Sequence, residues 1–464
     1  MQKKTIFITI ESVKRELNSK ILLSLKAINK KNFRVVIGQK GHVWSLFKDV
    51  NPGIALLKSF GPKNTEIINL LKKENFKIAS NDEEIILAWD MEERLNYRMN
   101  NENLDKIDLL LAVGSDDYLV IKDKFNLISK NTKICGNLRL ELLKKKYRSL
   151  LEKETKTYRD KYGDFILLTT QFGRINNYVK SKHGIDFVFS RIVENNVDPD
   201  SDHINIVNNQ VIMQREILIQ TLKFLNNFEK NFPNKKLLIS PHPVENLNFW
   251  KNYIKKKKFK NIFLNEDVQS PTQALINSCS LIISSNSTTL LESYFLGKKR
   301  INFLSKKQGL AEISFLKEIC KVVRSSDELN IAIKNLEEKD FNFSVEGASS
   351  RVKNLDSNFD AFENLLDLFQ RLDGVKTYKE LFKNKKTNIY FILINEYRKI
   401  KSLIKKIIGF KRNSLLEYLH KEKIGSHLEY DNFVKRVKHI NEIESVNNLK
   451  IKQIIPQVFL LDNL

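Results

Sequence analysis

The sequence predicts an α/β protein with two Rossmann-like domains facing a cleft, followed by a basic, helical C-terminal extension. Short apolar runs alternate with segments of helical periodicity, which is typical of parallel sheets covered by helices. The alternation occurs twice over stretches of similar length, and 464 residues exceed the size at which one core keeps growing. We therefore expect domains at 1–140 and 141–345, and the extension at 346–464.

The first domain begins as a strand, a loop and a helix. Residues 5–10 are apolar and β-prone, and the apolar residues between 17 and 28 recur at helical spacing. The strands predicted for this domain are Thr5–Ile10, Phe33–Ile37, Phe76–Ala79, Ile107–Val113 and Lys133–Cys135. A further helix is expected at Glu66–Lys73, and a long charged helix at Leu138–Lys161 connects the two domains.

The second domain repeats the pattern. Its predicted strands are Phe165–Thr169, Lys236–Ser240, Ile262–Leu264, Leu281–Ser284 and Arg300–Phe303. Its predicted helices are Gln214–Phe232, Ser270–Ser278 and Thr288–Leu296. Ligands of such sheets bind beyond the carboxyl ends of the strands, so the loops that follow the strands are the candidate sites.

The extension contains a strongly basic segment, Lys376–Arg412, with 12 Lys or Arg against 2 acidic residues. An apolar stripe runs through it at helical spacing, formed by Leu393, Tyr397, Ile400, Ile404 and Ile407. A helix with one apolar and one cationic face is typical of binding to an anionic membrane surface. An ordinary helix packed on the protein, with a solvated basic face, is the alternative.

Charge and cysteine content limit the class of protein. The net charge of +24 points to anionic partners, although the Lys, Asn and Ile bias of an AT-rich genome is another source of part of it. No nucleic-acid partner is expected, because no recognition motif or row of stacking aromatics accompanies the charge. Cys135, Cys279 and Cys320 lack metal-ligand spacing, so we expect no metal and a reducing compartment. With no signal peptide and no apolar run of about 18 residues, a cytoplasmic protein, peripheral at the membrane, is expected.

A histidine between two prolines is the strongest local signal. The apolar strand at 236–240 leads directly into Pro241, His242 and Pro243, whose rings restrict the backbone. A rigidly held imidazole at a strand end can donate a hydrogen bond to a phosphate oxygen or accept a proton. Glu245 is expected to orient it. The alternative is a loop histidine without a role.

A second polar loop follows the strand at 281–284 and precedes a helix. Hydroxyl groups and free amides at a helix N-terminus favour an anion such as a nucleotide phosphate. The candidate donor-binding residues in this segment are Ser284, Ser285, Ser287, Thr288, Thr289 and, one turn into the helix, Glu292. A simple helix cap is the alternative. Gln171 and Arg174 follow the strand at 165–169 and are expected to line the same pocket.

Taken together, the His-Pro and Ser/Thr segments resemble the donor-binding half of GT-B glycosyltransferases, in particular surface carbohydrate biosynthesis proteins. CMP-sugar-using sialyl- and Kdo-transferases and the glycerophosphotransferases of teichoic-acid synthesis have similar loops. The resemblance implies transfer without a metal or cofactor, with a nucleotide sugar as the donor substrate and His242 at its phosphate.

The resemblance extends over about residues 5–330. IESVKRELNSKILLSLKA and VVIGQKG are similar to the family's first two strand ends, which implies acceptor binding by Lys14, Arg15, Gln39 and Lys40. KICGNLRLELL is similar to the interdomain motif, but Leu138 replaces its proline and Glu141 its aspartate.

The resemblance also implies a catalytic base after the strand at 76–79. Family members have an acidic-acidic-Gly motif there, and this chain has Glu83 and Glu84 followed by Ile85 in place of the glycine. Such a carboxylate could remove the proton of an acceptor hydroxyl. Glu11 and Glu16 are rival bases, and a charged helix start is the alternative explanation.

The expected function is therefore transfer of a sugar, with a CMP-sugar such as Kdo favoured, to a surface polysaccharide or lipid-linked glycan acceptor. Three alternatives remain open at this point. They are a CDP-glycerol-type phosphotransferase, an enzyme similar to UDP-sugar 2-epimerases, and a non-enzymatic basic protein that binds nucleic acid.

Overall fold

The structure is a computed structural model, and it describes residues 2–87, 91–99, 101–179, 183–189, 192–193, 198–266, 272–306, 312–338, 346–384 and 428–463. The chain forms two compact units. Unit 1 contains Met1–Leu142 and Ser349–Leu464, and unit 2 contains Leu143–Ala348.

Unit 1 is built around an eight-stranded sheet with the order β13-β14-β2-β1-β3-β4-β5-β6 in its described residues. Strands β1 to β6 pair in parallel, and β14 pairs antiparallel with both β2 and β13. The strands are β1 (Thr5–Ile10), β2 (Arg34–Gln39), β3 (Ile54–Leu57), β4 (Lys77–Asn81), β5 (Leu109–Ala112), β6 (Thr132–Ile134), β13 (Leu449–Ile455) and β14 (Val458–Asn463).

Helices cover this sheet. The α-helices are α1 (Val13–Lys31), α2 (Lys40–Trp44), α3 (Thr65–Lys73), α4 (Met91–Arg98), α5 (Asn101–Leu104), α6 (Ser115–Lys124), α7 (Asn126–Ser129), α8 (Leu138–Glu141), α17 (Glu346–Arg351), α18 (Ala361–Arg371) and α19 (Tyr430–Glu444). Short 3₁₀ helices lie at Pro62–Asn64, Ile85–Leu87 and Lys353–Leu355. β1 is buried along its whole length, as expected for a central strand of a sheet with both faces covered.

Unit 2 contains a six-stranded parallel sheet with the order β12-β11-β10-β7-β8-β9 in its described residues. The strands are β7 (Phe165–Thr169), β8 (Lys236–Ser240), β9 (Ile262–Leu264), β10 (Leu281–Ser284), β11 (Lys299–Phe303) and β12 (Lys321–Val323). Its helices are α9 (Glu152–Tyr162), α10 (Gly184–Phe189), α11 (Asp202–Asn231), α12 (Leu247–Lys257), α13 (Thr272–Ser278), α14 (Thr288–Phe295), α15 (Leu316–Ile319), α16 (Ser326–Glu338) and a 3₁₀ helix at Lys145–Leu151.

The two sheets confirm the predicted α/β class with two parallel-sheet domains. Each predicted strand has a counterpart within a few residues, and the structure adds β3, β12 and the β13–β14 hairpin. The predicted helix at 138–161 is instead divided into α8, a 3₁₀ helix and α9. The helical run ends because Lys144 has extended backbone, with φ −61° and ψ 152°.

The C-terminal segment is not only helical. Its last described residues form β13 and β14, and β14 lies beside β2 with Phe459 opposite Ile37. Val458, Phe459 and Leu461 are buried, and their apolar side chains extend the core of unit 1. The predicted apolar stripe, from Leu393 to Ile407, lies outside the described residues. No helix in the described part of the chain has the length and apolar character needed to span a membrane.

Candidate functional site

Three polar loops emerge side by side at the carboxyl edge of the unit 2 sheet. β7 lies between β8 and β10, and Leu168 is opposite both Ile239 and Ile283. Adjacent strands are about 4.8 Å apart, so the ends of β8 and β10 are separated by about 10 Å. The His-Pro loop (residues 241–245) and the Ser/Thr turn (residues 284–289) therefore flank the loop that follows β7.

Glu245 joins the His-Pro loop to the loop after β7. Its side chain is only 3% exposed. Its carboxylate accepts hydrogen bonds from the Thr170 hydroxyl at 2.7 Å, the Phe172 amide at 2.9 Å, the His242 amide at 3.2 Å and the Trp250 indole at 3.0 Å. Burial raises the pKa of Glu245. The expected orientation of the imidazole by this carboxylate therefore acts through the His242 backbone amide rather than through a direct contact with the ring.

The His242 ring has a defined tautomer in its neutral form. The Val244 amide donates a hydrogen bond to Nδ1 at 3.3 Å, so Nδ1 is an acceptor. The proton of the neutral ring then lies on Nε2, because one ring nitrogen donates when the other accepts. His242 is half-buried and Pro243 is exposed, so the loop is accessible at its tip.

The Ser/Thr turn is organised by a chain of hydroxyl groups. Thr169, at the end of β7, donates to the Ser284 hydroxyl at 2.7 Å and lies 3.1 Å from the Thr289 hydroxyl. Ser287 is the N-cap of α14 and accepts from the Thr289 amide at 3.2 Å and the Thr289 hydroxyl at 3.0 Å. Ser285, beside these groups, is half-buried. The turn is thus fixed to β7, and the α14 N-terminus adds the positive end of a helix dipole.

The sharp bend of this turn has an asparagine in the left-handed region. Asn286 has φ 45°, a conformation that asparagine adopts more readily than most residues. Its amide donates to the side-chain oxygen of Asn302 at 3.0 Å, and Asn302 lies opposite Ser284 on the neighbouring strand. The bend is therefore supported by β11 as well as by β7.

The remaining predicted donor residues have different environments. Gln171 and Thr288 are half-buried, and Arg174 donates from Nε to Gln210 at 3.2 Å. Glu292 is only 3% exposed within α14. The Glu292 side chain is therefore buried in the protein, whereas Gln171 and Thr288 are partly accessible.

At the carboxyl edge of the unit 1 sheet, the loops contain charged side chains that form ion pairs, rather than a chain of hydroxyl groups. The Lys58 ammonium, directly after β3, lies 3.1 Å from Glu84, 3.3 Å from Glu16 and 3.5 Å from Glu11. Burial alone would lower the pKa of Lys58, but the three carboxylates raise it overall. Lys40 pairs with Glu11 at 2.6 Å. These residues form what we call the Lys58 cluster.

Two arginines complete the Lys58 cluster around Glu84. Arg15 lies 3.5 Å from Glu84, and Arg98 pairs with Asp82 and lies 4.0 Å from Glu84. Burial would raise the pKa of Glu84, yet Lys58 and Arg15 lower it to about 2. Glu84 is therefore a weak Brønsted base in this arrangement.

The other predicted unit 1 residues lie in separate environments. Glu83 is 2% exposed, and one of its carboxylate oxygens has no hydrogen-bond partner among the described residues. Gln39 caps α2 by accepting from the His42 amide at 2.9 Å, and Lys40 stacks over Trp44 at 4.5 Å. The Lys14 side chain lies outside the described residues.

Two groups that organise the site were missed by sequence reasoning. Lys58 follows a strand of only four residues, β3, which was not recognised. The sequence predicts Thr169 only as the last residue of a strand, whereas in the structure its hydroxyl donates to Ser284. Recognition of β3 would have placed Lys58 at a strand end, where the candidate residues lie.

Neither a metal nor a reactive thiol is indicated by the described side chains. No group of three or more His, Cys, Asp or Glu residues in the described ranges could hold a metal ion. Cys135, Cys279 and Cys320 are buried, and burial raises the pKa of each to about 12. Thiols with such pKa values are unreactive at neutral pH.

Comparisons with known proteins identify the fold. No known protein family and no curated protein matches the sequence. The structure of UDP-GlcNAc 2-epimerase from Methanocaldococcus jannaschii is similar, with a TM-score of 0.51, 12% identity and coverage of 79% of this chain and 99% of that chain.

Two further solved structures give TM-scores of 0.45. UDP-GlcNAc 2-epimerase from Neisseria meningitidis bound to UDP-GlcNAc has 13% identity, with 72% of this chain and 91% of that chain covered. The wall teichoic acid polymerase TagF has 11% identity, with 80% and 89% covered. The similarity to the Methanocaldococcus structure shows that the chain has the two-sheet α/β fold of GT-B proteins.

Proposed function

We propose that this protein is a GT-B glycosyltransferase that transfers a sugar from a nucleotide-activated donor, with a CMP-sugar such as Kdo favoured. The acceptor is proposed to be a surface polysaccharide or a lipid-linked glycan. The observation that carries the proposal is the joining of the His-Pro loop and the Ser/Thr turn through the loop after β7.

The unit 2 edge has the chemistry needed to hold a donor phosphate. The backbone amides at the start of α14 and the half-buried Ser285 and Thr288 provide neutral hydrogen-bond donors. Neutral donors in a fixed arrangement stabilise a phosphate without a metal ion, and the helix dipole adds to the effect. In the proposal, the donor phosphate binds at the Ser/Thr turn.

His242 then acts on the leaving phosphate. Its Nε2 carries the proton of the neutral ring because Nδ1 accepts from Val244. A hydrogen bond from Nε2 to the departing phosphate oxygen would strengthen as the sugar–oxygen bond breaks and negative charge develops, which lowers the barrier. The Glu245 hydrogen bonds hold the loop so that this geometry does not have to be formed during the reaction.

The base for the acceptor hydroxyl stays a prediction. The ion pairs of Glu84 lower its pKa and make it a weaker base, and Glu11 is paired with Lys40 and Lys58. Glu83 forms no ion pair with the described residues, and one of its carboxylate oxygens has no hydrogen-bond partner among them. Among the three residues we therefore favour Glu83, provided that acceptor binding gives it access to the hydroxyl.

The decisive experiment measures the affinity for donors and the products formed. Thermal shift with CMP-, CDP-, UDP- and GDP-linked ligands identifies the nucleotide, because a ligand that binds the native state raises the melting temperature. Turnover of that donor is then measured for the His242→Ala variant and for a His439→Ala control, which alters a partly exposed histidine of α19 in unit 1. We expect a decrease of about 10²-fold or more for His242→Ala, the scale of one lost electrostatic donor, and little change for the control.

Undiminished turnover of the His242→Ala variant contradicts the proposed mechanism. The chemical identity of the products shows which reaction the protein catalyses. A new glycosidic bond supports the proposal, whereas a phosphodiester product identifies a phosphotransferase instead.

A second candidate is an epimerase. It is favoured by the shared fold with the Methanocaldococcus UDP-GlcNAc 2-epimerase over 99% of that chain. Incubation with UDP-GlcNAc in deuterated water without an acceptor tests it. Formation of an isomerised free nucleotide sugar would support the epimerase and exclude the transferase as the main activity.

A further inference from the structure

A cavity lies at the opposite edge of the unit 2 sheet, where the strands begin. Its volume is about 270 Å³, and one water needs only about 10–15 Å³. The first residues of four strands line it, namely Phe165, Lys236, Leu281 and Lys299. Because the strands are parallel and rise about 3.3 Å per residue, this edge is roughly 10 Å from the start of the Ser/Thr turn. The cavity is thus separate from the proposed donor site.

The lining combines apolar and charged residues. Its apolar members include Ile166, Leu281 and Ile333. Lys235, Lys236 and Lys299 supply three cations, whereas Asp164 is the one acidic group among the described lining residues. The described lining therefore contains three lysines and one aspartate.

One of the lining lysines has a hydrogen-bond partner in the protein backbone. Lys236 donates to the Tyr162 carbonyl at 2.9 Å. An ammonium has three donors, so one such bond leaves others that can reach a ligand. No carboxylate in the described part of the chain pairs with Lys236. The site thus holds a located cation whose charge is not neutralised by an ion pair with those residues.

Two further lysines lie at this edge of the sheet. Lys298 directly precedes β11, and burial together with the Arg159 and Arg148 guanidinium groups lowers its pKa. Lys321 begins β12 at the same edge. Several cations near one surface attract an anion more strongly than any one of them would.

We propose that this cavity, which we call the lysine cavity, binds a phosphate-bearing anion through Lys235, Lys236 and Lys299. Lysine binds phosphate as a mobile point charge with several donors, and a phosphate presents several acceptor oxygens to match. The volume admits a phosphate or diphosphate group together with a small part of the molecule that carries it. The ligand can be a free phosphate compound or the head group of a phospholipid. The proposal does not depend on the activity proposed for the other edge.

Protection of lysines in the wild-type protein is the first test. The protein is treated with an amine-acetylating reagent with and without pyrophosphate, and modified lysines are identified by mass spectrometry. Lys235, Lys236 and Lys299 should be protected, whereas the exposed Lys255 and Lys256 of α12 should not. Equal modification of the three cavity lysines with and without pyrophosphate overturns the proposal.

A charge-matched pair of variants gives the second test. Lys236→Gln/Lys299→Gln removes two cavity cations, and Lys122→Gln/Lys124→Gln removes two exposed cations of α6. Calorimetric titration with pyrophosphate should show at least about a tenfold weaker site in the first variant only, because charge-assisted hydrogen bonds are lost. Equal affinity in both variants contradicts the proposal, and the protection experiment decides it if the first variant does not fold.

The His242→Ala variant separates this site from the donor site. Protection of the three cavity lysines should persist in it, whatever happens to nucleotide binding. Loss of that protection would show that pyrophosphate protects the lysines by binding at the donor site, and it would overturn the proposal.

Vesicles distinguish the two sources of phosphate. Phosphatidylcholine vesicles with and without phosphatidic acid are mixed with the wild type and both double variants. Binding that needs phosphatidic acid and is lost only in Lys236→Gln/Lys299→Gln assigns the cavity to a lipid head group. Pyrophosphate protection without vesicle binding assigns it to a free phosphate compound.

Discussion

The carboxyl edges of the two sheets use different chemistry for the same task of fixing loops. In unit 2 the loops are held by hydroxyl groups, amides and the buried Glu245, all in short-range hydrogen bonds. In unit 1 the corresponding loops are held by ion pairs around Lys58. The first arrangement presents neutral donors to a ligand, whereas the second has its charges already paired.

This difference indicates how each edge can bind a ligand. A phosphate that binds the unit 2 edge meets the neutral Ser285 hydroxyl and the Thr288 amide, whereas the Thr289 amide already donates to Ser287. A charged group entering the Lys58 cluster must compete with existing ion pairs, and the energy of those pairs falls with salt. We therefore expect the unit 2 edge to bind anions directly and the unit 1 edge to respond to ionic strength.

The largest expected effect comes from Glu245→Ala. Three donors in the loops after β7 and β8 and the Trp250 indole of α12 lose their acceptor. Each unsatisfied buried donor costs about 1 kcal/mol or more, so unit 2 should lose about 4 kcal/mol. The loss is measured by hydrogen exchange of unit 2 peptides during urea unfolding, since a two-unit chain need not unfold in one step. Donor binding should weaken at the same time.

Glu266→Ala is the matched control for this substitution. Glu266 is 57% exposed and forms a surface ion pair with Lys251 at 2.7 Å. Such pairs contribute about 0.5 kcal/mol or less. Similar losses in the two variants would mean that Glu245 is not the organising group of the unit 2 edge.

Lys58→Met should have the next largest effect. It leaves Glu11, Glu16 and Glu84 without their common cation, and removing one partner of a buried ion pair typically costs about 3 kcal/mol. The free energy of unit 1 unfolding is measured by the same exchange method at low and high salt. High salt should narrow the difference from the wild type, because the repulsion among the carboxylates is screened.

Lys63→Met, at an exposed position in a neighbouring 3₁₀ helix, is the control for Lys58→Met. We expect it to change stability by less than about 0.5 kcal/mol. A wild-type-like Lys58→Met variant would show that the cluster does not stabilise unit 1, and the contrast between the edges would then fail.

The smallest expected effect is that of Ser287→Ala. The variant removes the N-cap of α14, which typically costs about 1 kcal/mol. Affinity for the donor should fall as well, since the hydroxyl chain through Thr289 and Ser284 loses a member. Ser280→Ala, at the opposite edge of the same sheet, should leave donor affinity unchanged when both are measured by titration calorimetry. Unchanged donor affinity in Ser287→Ala would remove the Ser/Thr turn from the proposed site.

Much of the fold could be predicted because burial on both faces produces an unmistakable pattern. Strands such as Thr5–Ile10 and Leu281–Ser284 read as continuous apolar runs between helical segments. β3 was missed because it has only four residues and follows Pro52 and Gly53, which favour a turn. The β13–β14 hairpin was missed because a long-range antiparallel pairing with β2 leaves no local signal.

The candidate site was predictable only in its position along the chain. Strand-end loops identified His242 and the Ser/Thr turn, and the strand order then placed them on either side of β7. The partners of these loops were not predictable, because Trp250 and Thr170 reach Glu245 through the fold rather than through sequence spacing. The ion pairs of Lys58 likewise join residues 26 to 47 positions away.

The pairing of β14 with β2 affects the order in which the chain can fold during synthesis. Unit 2 is continuous, and all of its residues leave the ribosome before the final strands of unit 1 exist. Until residues 458–463 are made, the edge of β2 has open backbone groups, and open strand edges favour association between chains. We therefore expect the nascent chain to depend on chaperones for longer at its beginning than in its middle.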